Sequence, residues 1–159
     1  MLTNSSDFVF NADALLFSGV MLFLILVIHA TYMFFVTRGY ETITDSLIEA
    51  KRYGWVPPVF YLTAFILALS HLLEIYLWGY ALYYFGLIAN EHQAMFFAGS
   101  TYTTLGVGTN PLPLNWDLVM VVIALSGMIA FGWSISVLLN MSQLVNTARQ
   151  KRNEHRKNS

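Results

Sequence analysis

The chain contains no cysteine, so it can form no disulfide, no thiolate zinc site and no iron–sulfur cluster. Charge is scarce too: 11% of the 159 residues are Asp, Glu, Lys or Arg, against 57% that are hydrophobic. With a mean hydropathy of +0.57, that balance excludes both a soluble globular domain and a disordered polar tail. No Lys or Arg precedes Arg38, and none lies between Ala89 and Leu118. There is no internal repeat, and no segment carries the every-third-residue arginine of a voltage sensor. A nucleotide-binding loop, a nucleophile constellation and a catalytic carboxylate pair are also missing, so no enzymatic activity is expected.

What the sequence does have is long apolar runs. Three segments reach the roughly 20 apolar residues that a bilayer-spanning helix needs: Ala14 to Val36, Val59 to Ala89 and Leu118 to Leu139. A fourth, Ala94 to Gly108, is too short to cross. The residues before the first run carry Asp7 and Asp13 and no cation, which predicts a retained helix rather than a cleaved signal peptide. The cations fall at Arg38, Lys51 and Arg52, then at Arg149, Lys151, Arg152, Arg156 and Lys157. By the positive-inside rule, the N-terminus is predicted outside the cell membrane and the first loop and tail in the cytoplasm. The short fourth segment then enters from the external side. The tail cations are expected to contact anionic lipid, and no nucleic-acid partner is expected.

Gly39, Gly54 and Pro57-Pro58 bracket a polar connector, within which Ile43, Leu47 and Ile48 can form the apolar face of an interfacial helix. The second spanning helix is about 45 Å long at 1.5 Å per residue. It places Tyr76, Trp78, Tyr80, Tyr83 and Tyr84 in its outer half, as an aromatic belt would. Asn90 is positioned to cap a short helix starting at Glu91, with Gln93 completing a capping box. That helix is expected to end near Thr103 with its negative dipole end toward the middle of the membrane, which favours a cation there. Pro111 and Pro113 hold the returning chain extended, and Asn115 is positioned to cap a last helix beginning at Trp116 and Asp117.

The short helix runs into the charge-free octet Thr-Tyr-Thr-Thr-Leu-Gly-Val-Gly, residues 101 to 108. Alternating glycine with non-glycine lets successive carbonyl oxygens turn to one side, where they can replace a cation's water shell. A GxG pair alone is more often an ordinary turn. The capped half-helix before it, the two threonines and the long helix after it favour the ion-binding reading. The octet resembles the signature of the potassium-channel pore family, commonly written TxTTxGYG followed by Asp. The order of outer helix, short helix, octet and inner helix from about residue 59 to 147 also matches that family.

The resemblance implies a selectivity filter of Thr103, Thr104, Leu105, Gly106, Val107 and Gly108. Potassium would be held by the Thr104 hydroxyl and the carbonyls of Thr104, Leu105, Gly106 and Val107, with no other cofactor. Phe96 and Phe97 stand where the family has aromatic residues, and with Ser100 and Thr109 they would support the filter. One pore loop per chain implies a homotetramer. Two positions depart from the pattern: Val107 replaces Tyr or Phe, and Thr109 replaces Asp. They remove an aromatic tether and a negative charge at the mouth, which keeps open a nonselective monovalent cation channel on the same fold.

In the last helix, Ser126, Ala130 and Ser134 recur every four residues, with Gly127 and Gly132 nearby and Ser136 and Asn140 further along. They fit close packing through small residues. They also fit a gating bend at Gly127 or Gly132, with Ser134 or Asn140 facing a wet cavity. His71 and Glu74 share one face of the second helix, and His29 lies at a similar predicted depth in the first. These three are read as a structural polar tie. A metal- or proton-binding role is the rival, because two imidazoles and a carboxylate are acceptable zinc ligands.

The expected fold is therefore an all-α membrane protein: three transmembrane helices plus one re-entrant pore helix and filter loop, assembled as a homotetrameric pore. Residues 1–37 would form the outer N-terminus and an extra first helix, 38–57 a cytoplasmic connector, 58–147 the pore domain and 148–159 a basic tail. The expected function is passive conduction of potassium, with membrane lipids, monovalent cations and further copies of the chain as partners.

Overall fold

A computed structural model describes residues 11–106 and 108–157, the side chains of His155 and Arg156 excepted. Among the described residues are four α-helices and no strand: α1 (Ala12–Glu49), α2 (Val56–Tyr84), α3 (Glu91–Tyr102) and α4 (Asp117–Lys157). Helices α1, α2 and α4 are each long and apolar enough to cross a membrane, as the hydropathy predicts, and the regular structure of the described residues is all helical.

Local chemistry explains where the helices start. The Asn11 Oδ1 accepts from the Asp13 and Ala14 amides at 3.0 and 3.3 Å, capping α1. Pro57 and Pro58 occupy the first turn of α2, where a missing N–H costs nothing. The Asn90 Oδ1 accepts from the Gln93 amide at 2.9 Å and caps α3 at the predicted residue. Asn115 does not cap α4 as expected. It takes a φ of 68° in the preceding turn, a conformation asparagine tolerates better than most residues, and α4 begins at Asp117.

Three helices end in the same way. In α1, Arg52 N–H donates to the Leu47 carbonyl at 2.8 Å and Lys51 N–H to Ile48 at 3.0 Å, with Lys51 at φ 56°. In α2, Leu87 donates to Leu82 and Gly86 to Tyr83, both at 3.0 Å, with Gly86 at φ 70°. In α3, Leu105 donates to Ser100 at 2.8 Å and Thr104 to Thr101 at 2.9 Å, with Thr104 at φ 58°. Each is a Schellman motif, whose left-handed residue is usually glycine. Only α2 uses one.

The polar connector expected over 38–57 is largely helix: α1 continues unbroken through Gly39 to Glu49, followed by a short turn. A single glycine costs a helix only about 1 kcal/mol relative to alanine, and packing outweighs it. Tyr40 is buried and its hydroxyl donates to the Met141 carbonyl at 3.2 Å. Leu47 and Ile48 pack against Val56, Val145 and Ala148, whereas Ile43, assigned to the same face, is exposed. The polar segment from 148 onward likewise continues α4 to Lys157.

The chain divides into two compact units. One comprises Met1–Leu26 and Ile75–Met128, and its buried residues include Trp78, Leu82, Ala98, Tyr102, Val119 and Ile123. Trp78, expected in an outer aromatic belt, is fully buried, and its indole N–H donates to the Ser126 hydroxyl at 3.0 Å. Tyr76, Tyr80 and Tyr84 are exposed and stack in sequence along α2. The other unit comprises Val27–Glu74 and Ile129–Ser159, with Met33, Tyr40, Leu67, Met141 and Val145 buried.

Candidate functional site

Within the first unit, glycines let α3 sit close to its neighbours. A Cβ on Gly79 would lie 2.5 Å from Met95 Sδ and 2.9 Å from Met95 Cα, and one on Gly99 would lie 3.4 Å from Ile75. A Cβ on Gly127 would run into the Tyr102 carbonyl oxygen and come within 3.0 Å of that carbonyl carbon. The sequence reading did not single out Gly79 or Gly99. The available signal was glycine within an apolar helix, which in membranes marks close backbone approach.

The α3 C-terminus then feeds the octet. Its last turn is closed by the Ser100 carbonyl, which accepts from both Leu105 and Gly106 amides at 2.8 and 3.1 Å. The Thr103 hydroxyl donates to the Gly99 carbonyl at 2.8 Å. Beyond that turn, φ is positive at Thr104 (58°), Gly106 (65°) and Gly108 (102°) and not at Leu105. Val107, part of the expected filter, lies outside the described residues. Positive φ at every second residue is the backbone pattern that swings alternate peptide planes over, so that like groups face one side. Thr104 is the outlier, because a β-branched residue clashes with its own backbone in the left-handed region.

The side chains around this segment divide into two groups. Ser100 and Phe97 are buried, and the Ser100 hydroxyl donates to the Phe97 carbonyl at 3.2 Å. Phe96 is exposed and reaches the segment, its ring edge 4.0 Å from where a Cβ on Gly108 would stand. Thr103, Thr104, Leu105, Gly106, Gly108 and Thr109 are exposed, and Leu105, at 68%, shows most of its side chain. No charged side chain lies in the chain between Glu91 and Asp117, so the octet itself offers a cation only backbone and hydroxyl oxygens.

The α4 residues assigned to a gate or cavity occupy different settings. Gly127 is buried against α3, and Gly132 is exposed, with no neighbour within 4 Å of where a Cβ would stand. Asn140 is exposed and lines a groove of about 300 Å³ with Thr37, Glu41 and Thr147. Ser134 is buried, its hydroxyl 3.2 Å from His71 Nε2.

That histidine belongs to the polar cluster of the second unit, whose three members come together from α1 and α2. His29 Nδ1 lies 2.7 Å from Glu74 Oε1, with both residues essentially fully buried. The His29 and His71 ring centroids are 5.7 Å apart. Trp133 lies against His29 at 5.7 Å and Phe131 against His71 at 4.3 Å. Sequence spacing put His71 and Glu74 on one helix face and His29 at a similar depth, but gave no sign of the Ser134 contact.

Removing one member of a buried hydrogen-bonded pair leaves the other unpaired, whereas removing both does not. Glu74→Leu is expected to destabilise the chain by about 3–5 kcal/mol. The double replacement of His29 and Glu74 by leucine should cost less than half of that. Denaturant unfolding of the purified variants measures both, and a strictly additive double variant would refute the coupling.

Comparison of the chain with protein-family models, with curated proteins and with solved structures finds no match.

Proposed function

We propose that the chain is one subunit of a passive cation channel. Four copies surround a common axis, with α3 as the pore helix and the segment from Thr103 to Gly108 as the selectivity filter. Potassium passes by exchanging its water for the carbonyl oxygens of Thr104, Leu105, Gly106 and Val107 and the Thr104 hydroxyl. The C-terminal end of each α3 adds the negative end of its dipole. Phe96 and Phe97, with Ser100 and Thr109, brace the filter from behind. The N-terminus lies outside the cell and the end of α4 in the cytoplasm, following the distribution of Lys and Arg.

The observation that carries this reading is the positive φ at Thr104, Gly106 and Gly108. Backbone held in a costly conformation is retained where function requires it. Thr104 stands where glycine would do for the cap alone, which favours a use for its hydroxyl. The octet's likeness to the potassium-channel signature agrees.

Reconstitution into liposomes with a potassium gradient tests the proposal. A purified tetramer that carries potassium current, with a reversal potential near the potassium equilibrium value in mixed potassium and sodium, is the expected result. Equal permeation of the two ions would favour the nonselective channel that Val107 and Thr109 keep in view. A monomer with no ion flux would overturn both.

A further inference from the structure

We infer that the groove between α1 and α4 in the second unit binds a phospholipid whose headgroup carries both a phosphate and a primary ammonium, the phosphatidylethanolamine class. A hollow of about 390 Å³ is lined by Ala30, Met33, Phe34 and Trp133. It shares Thr37, Glu41 and Val137 with the groove of about 300 Å³ that Asn140 lines, so the two form one continuous trough along the helix pair. The trough changes character along its length. One end lies within the uncharged apolar runs that finish at Val36 in α1 and Leu139 in α4. The other end adds Arg38, Glu41, Asn140 and Gln143. The bond from the Tyr40 hydroxyl to the Met141 carbonyl brings these polar residues of the two helices close to one level. Apolar surface at hydrocarbon depth with ionic groups at its edge is the profile that accepts an acyl chain and its headgroup.

Two charges select the headgroup. Arg38 and Glu41 both line the trough and are both exposed, and residues three apart share a helix face. Opposite charges at that spacing commonly pair, yet among the described residues neither side chain has an ion-pair partner. Both are open to a ligand. Passing out of the apolar run, the cation comes first and the carboxylate follows about 4.5 Å further along the helix. An ethanolamine lipid presents its groups in the same order from its acyl chains: phosphate, ethylene linker, ammonium. The Arg38 guanidinium donates paired N–H bonds to the phosphate oxygens, and the Glu41 carboxylate accepts from the ammonium. A purely anionic headgroup would leave Glu41 facing a like charge, and a choline headgroup has no N–H to donate to it. The inference requires that α1 and α4 lie in a bilayer, as their length and apolarity allow, and does not involve the proposed ion path.

The experiment uses the full chain, purified in a detergent that strips resident lipid and then titrated with phosphatidylethanolamine, phosphatidylglycerol or phosphatidylcholine of identical acyl chains. Native mass spectrometry reads the bound lipid. The ethanolamine lipid is expected at about one per chain, bound roughly fivefold more tightly than either of the others. Arg38→Gln and Glu41→Gln should each weaken it by about fivefold, the effect of one charge at a membrane surface. Arg152→Gln, an equal loss of charge on the exposed end of α4, should leave it unchanged. Glu41→Gln should also bring phosphatidylglycerol level with the ethanolamine lipid, because the remaining arginine reads phosphate alone. Val137→Trp fills the wall that the two hollows share and should weaken all three lipids. If Val137→Trp does not fold, the two charge variants, both at exposed positions, carry the test. Equal binding of the three lipids by wild type, tighter binding of phosphatidylglycerol, or ethanolamine-lipid binding that survives both charge changes overturns the inference. So does a folded Val137→Trp protein that keeps the lipid; if it loses its oligomeric state instead, a second copy of the chain occupies the trough. These readouts involve no ion flux, so they fail separately from the channel proposal.

Discussion

Gly127→Ala is expected to destabilise the folded chain by about 2 kcal/mol, whereas Gly132→Ala, five residues along the same helix, should stabilise it by up to about 1 kcal/mol. The sign differs because the surroundings differ. A methyl group at 127 meets the Tyr102 carbonyl, whose carbon would be 3.0 Å away, and the Tyr102 ring at 3.1 Å. Both contacts involve the rigid end of α3, so the helices must separate. Overpacking of this kind costs up to about 3 kcal/mol, and the gain in helix propensity returns about 1. At 132 nothing lies within 4 Å, so only the propensity gain remains. Thermal unfolding of the two variants beside wild type measures the contrast. About 2 kcal/mol is roughly a thirtyfold change in the folded fraction. A Gly127→Ala protein of unchanged stability but altered channel opening would instead make that glycine a gating bend.

The contrast also bears on what the sequence could disclose. The repeat of Ser126, Ala130 and Ser134 marks a packed stripe, and all three are buried. Which neighbour they meet was not legible. Ser126 receives the Trp78 indole and Ser134 meets His71, pairings between residues 48 and 63 positions apart that no local periodicity encodes. Trp78 was read as an interfacial aromatic because tryptophan is enriched there. One hydrogen bond to Ser126 made burial affordable. The extent of α1 was hidden for a different reason. Met33, Tyr40, Thr44, Leu47 and Ile48 keep helical spacing across Gly39, but the polar residues among them suggest a helix that stops at the membrane edge. A stripe packed against neighbouring helices needs only one face to be apolar.

Capping chemistry was legible where it is local. Asn90 followed three residues later by Gln93 fixed the start of α3, and the structure begins it at Glu91. The end of α3 was legible only to within a residue, and its conformation not at all. Helix C-termini advertise themselves through glycine at the left-handed position, and α3 has Thr104 there. Lys51 ends α1 under the same disguise. The two differ in cost, since lysine is unbranched at Cβ and threonine is not. Composition also revealed the polar cluster only in part: His71 and Glu74 share a helix face by spacing, while the contact of His29 with Glu74 depends on how α1 packs against α2.

Thr104→Gly is expected to make the protein more stable and a worse channel. Glycine relieves a left-handed penalty of about 1–2 kcal/mol at the end of α3, so the thermal midpoint should rise. The same change deletes the hydroxyl proposed to replace part of potassium's hydration shell at the inner end of the filter and loosens the backbone that aims the carbonyls. Discrimination between potassium and sodium should fall by at least tenfold, equivalent to about 1.4 kcal/mol of differential binding, read as a shift of reversal potential in mixed salt. Thr104→Ser separates the two causes. Serine keeps the hydroxyl and the Cβ but loses the branch, so it should retain most of the selectivity while recovering only part of the stability that glycine restores. Were Thr104 merely an awkward helix cap, glycine would improve stability and leave transport untouched, and the strained conformation would lose its functional explanation. A rise in stability accompanied by a loss of selectivity ties the backbone outlier to the passage of ions, since no packing role predicts opposite signs from one substitution.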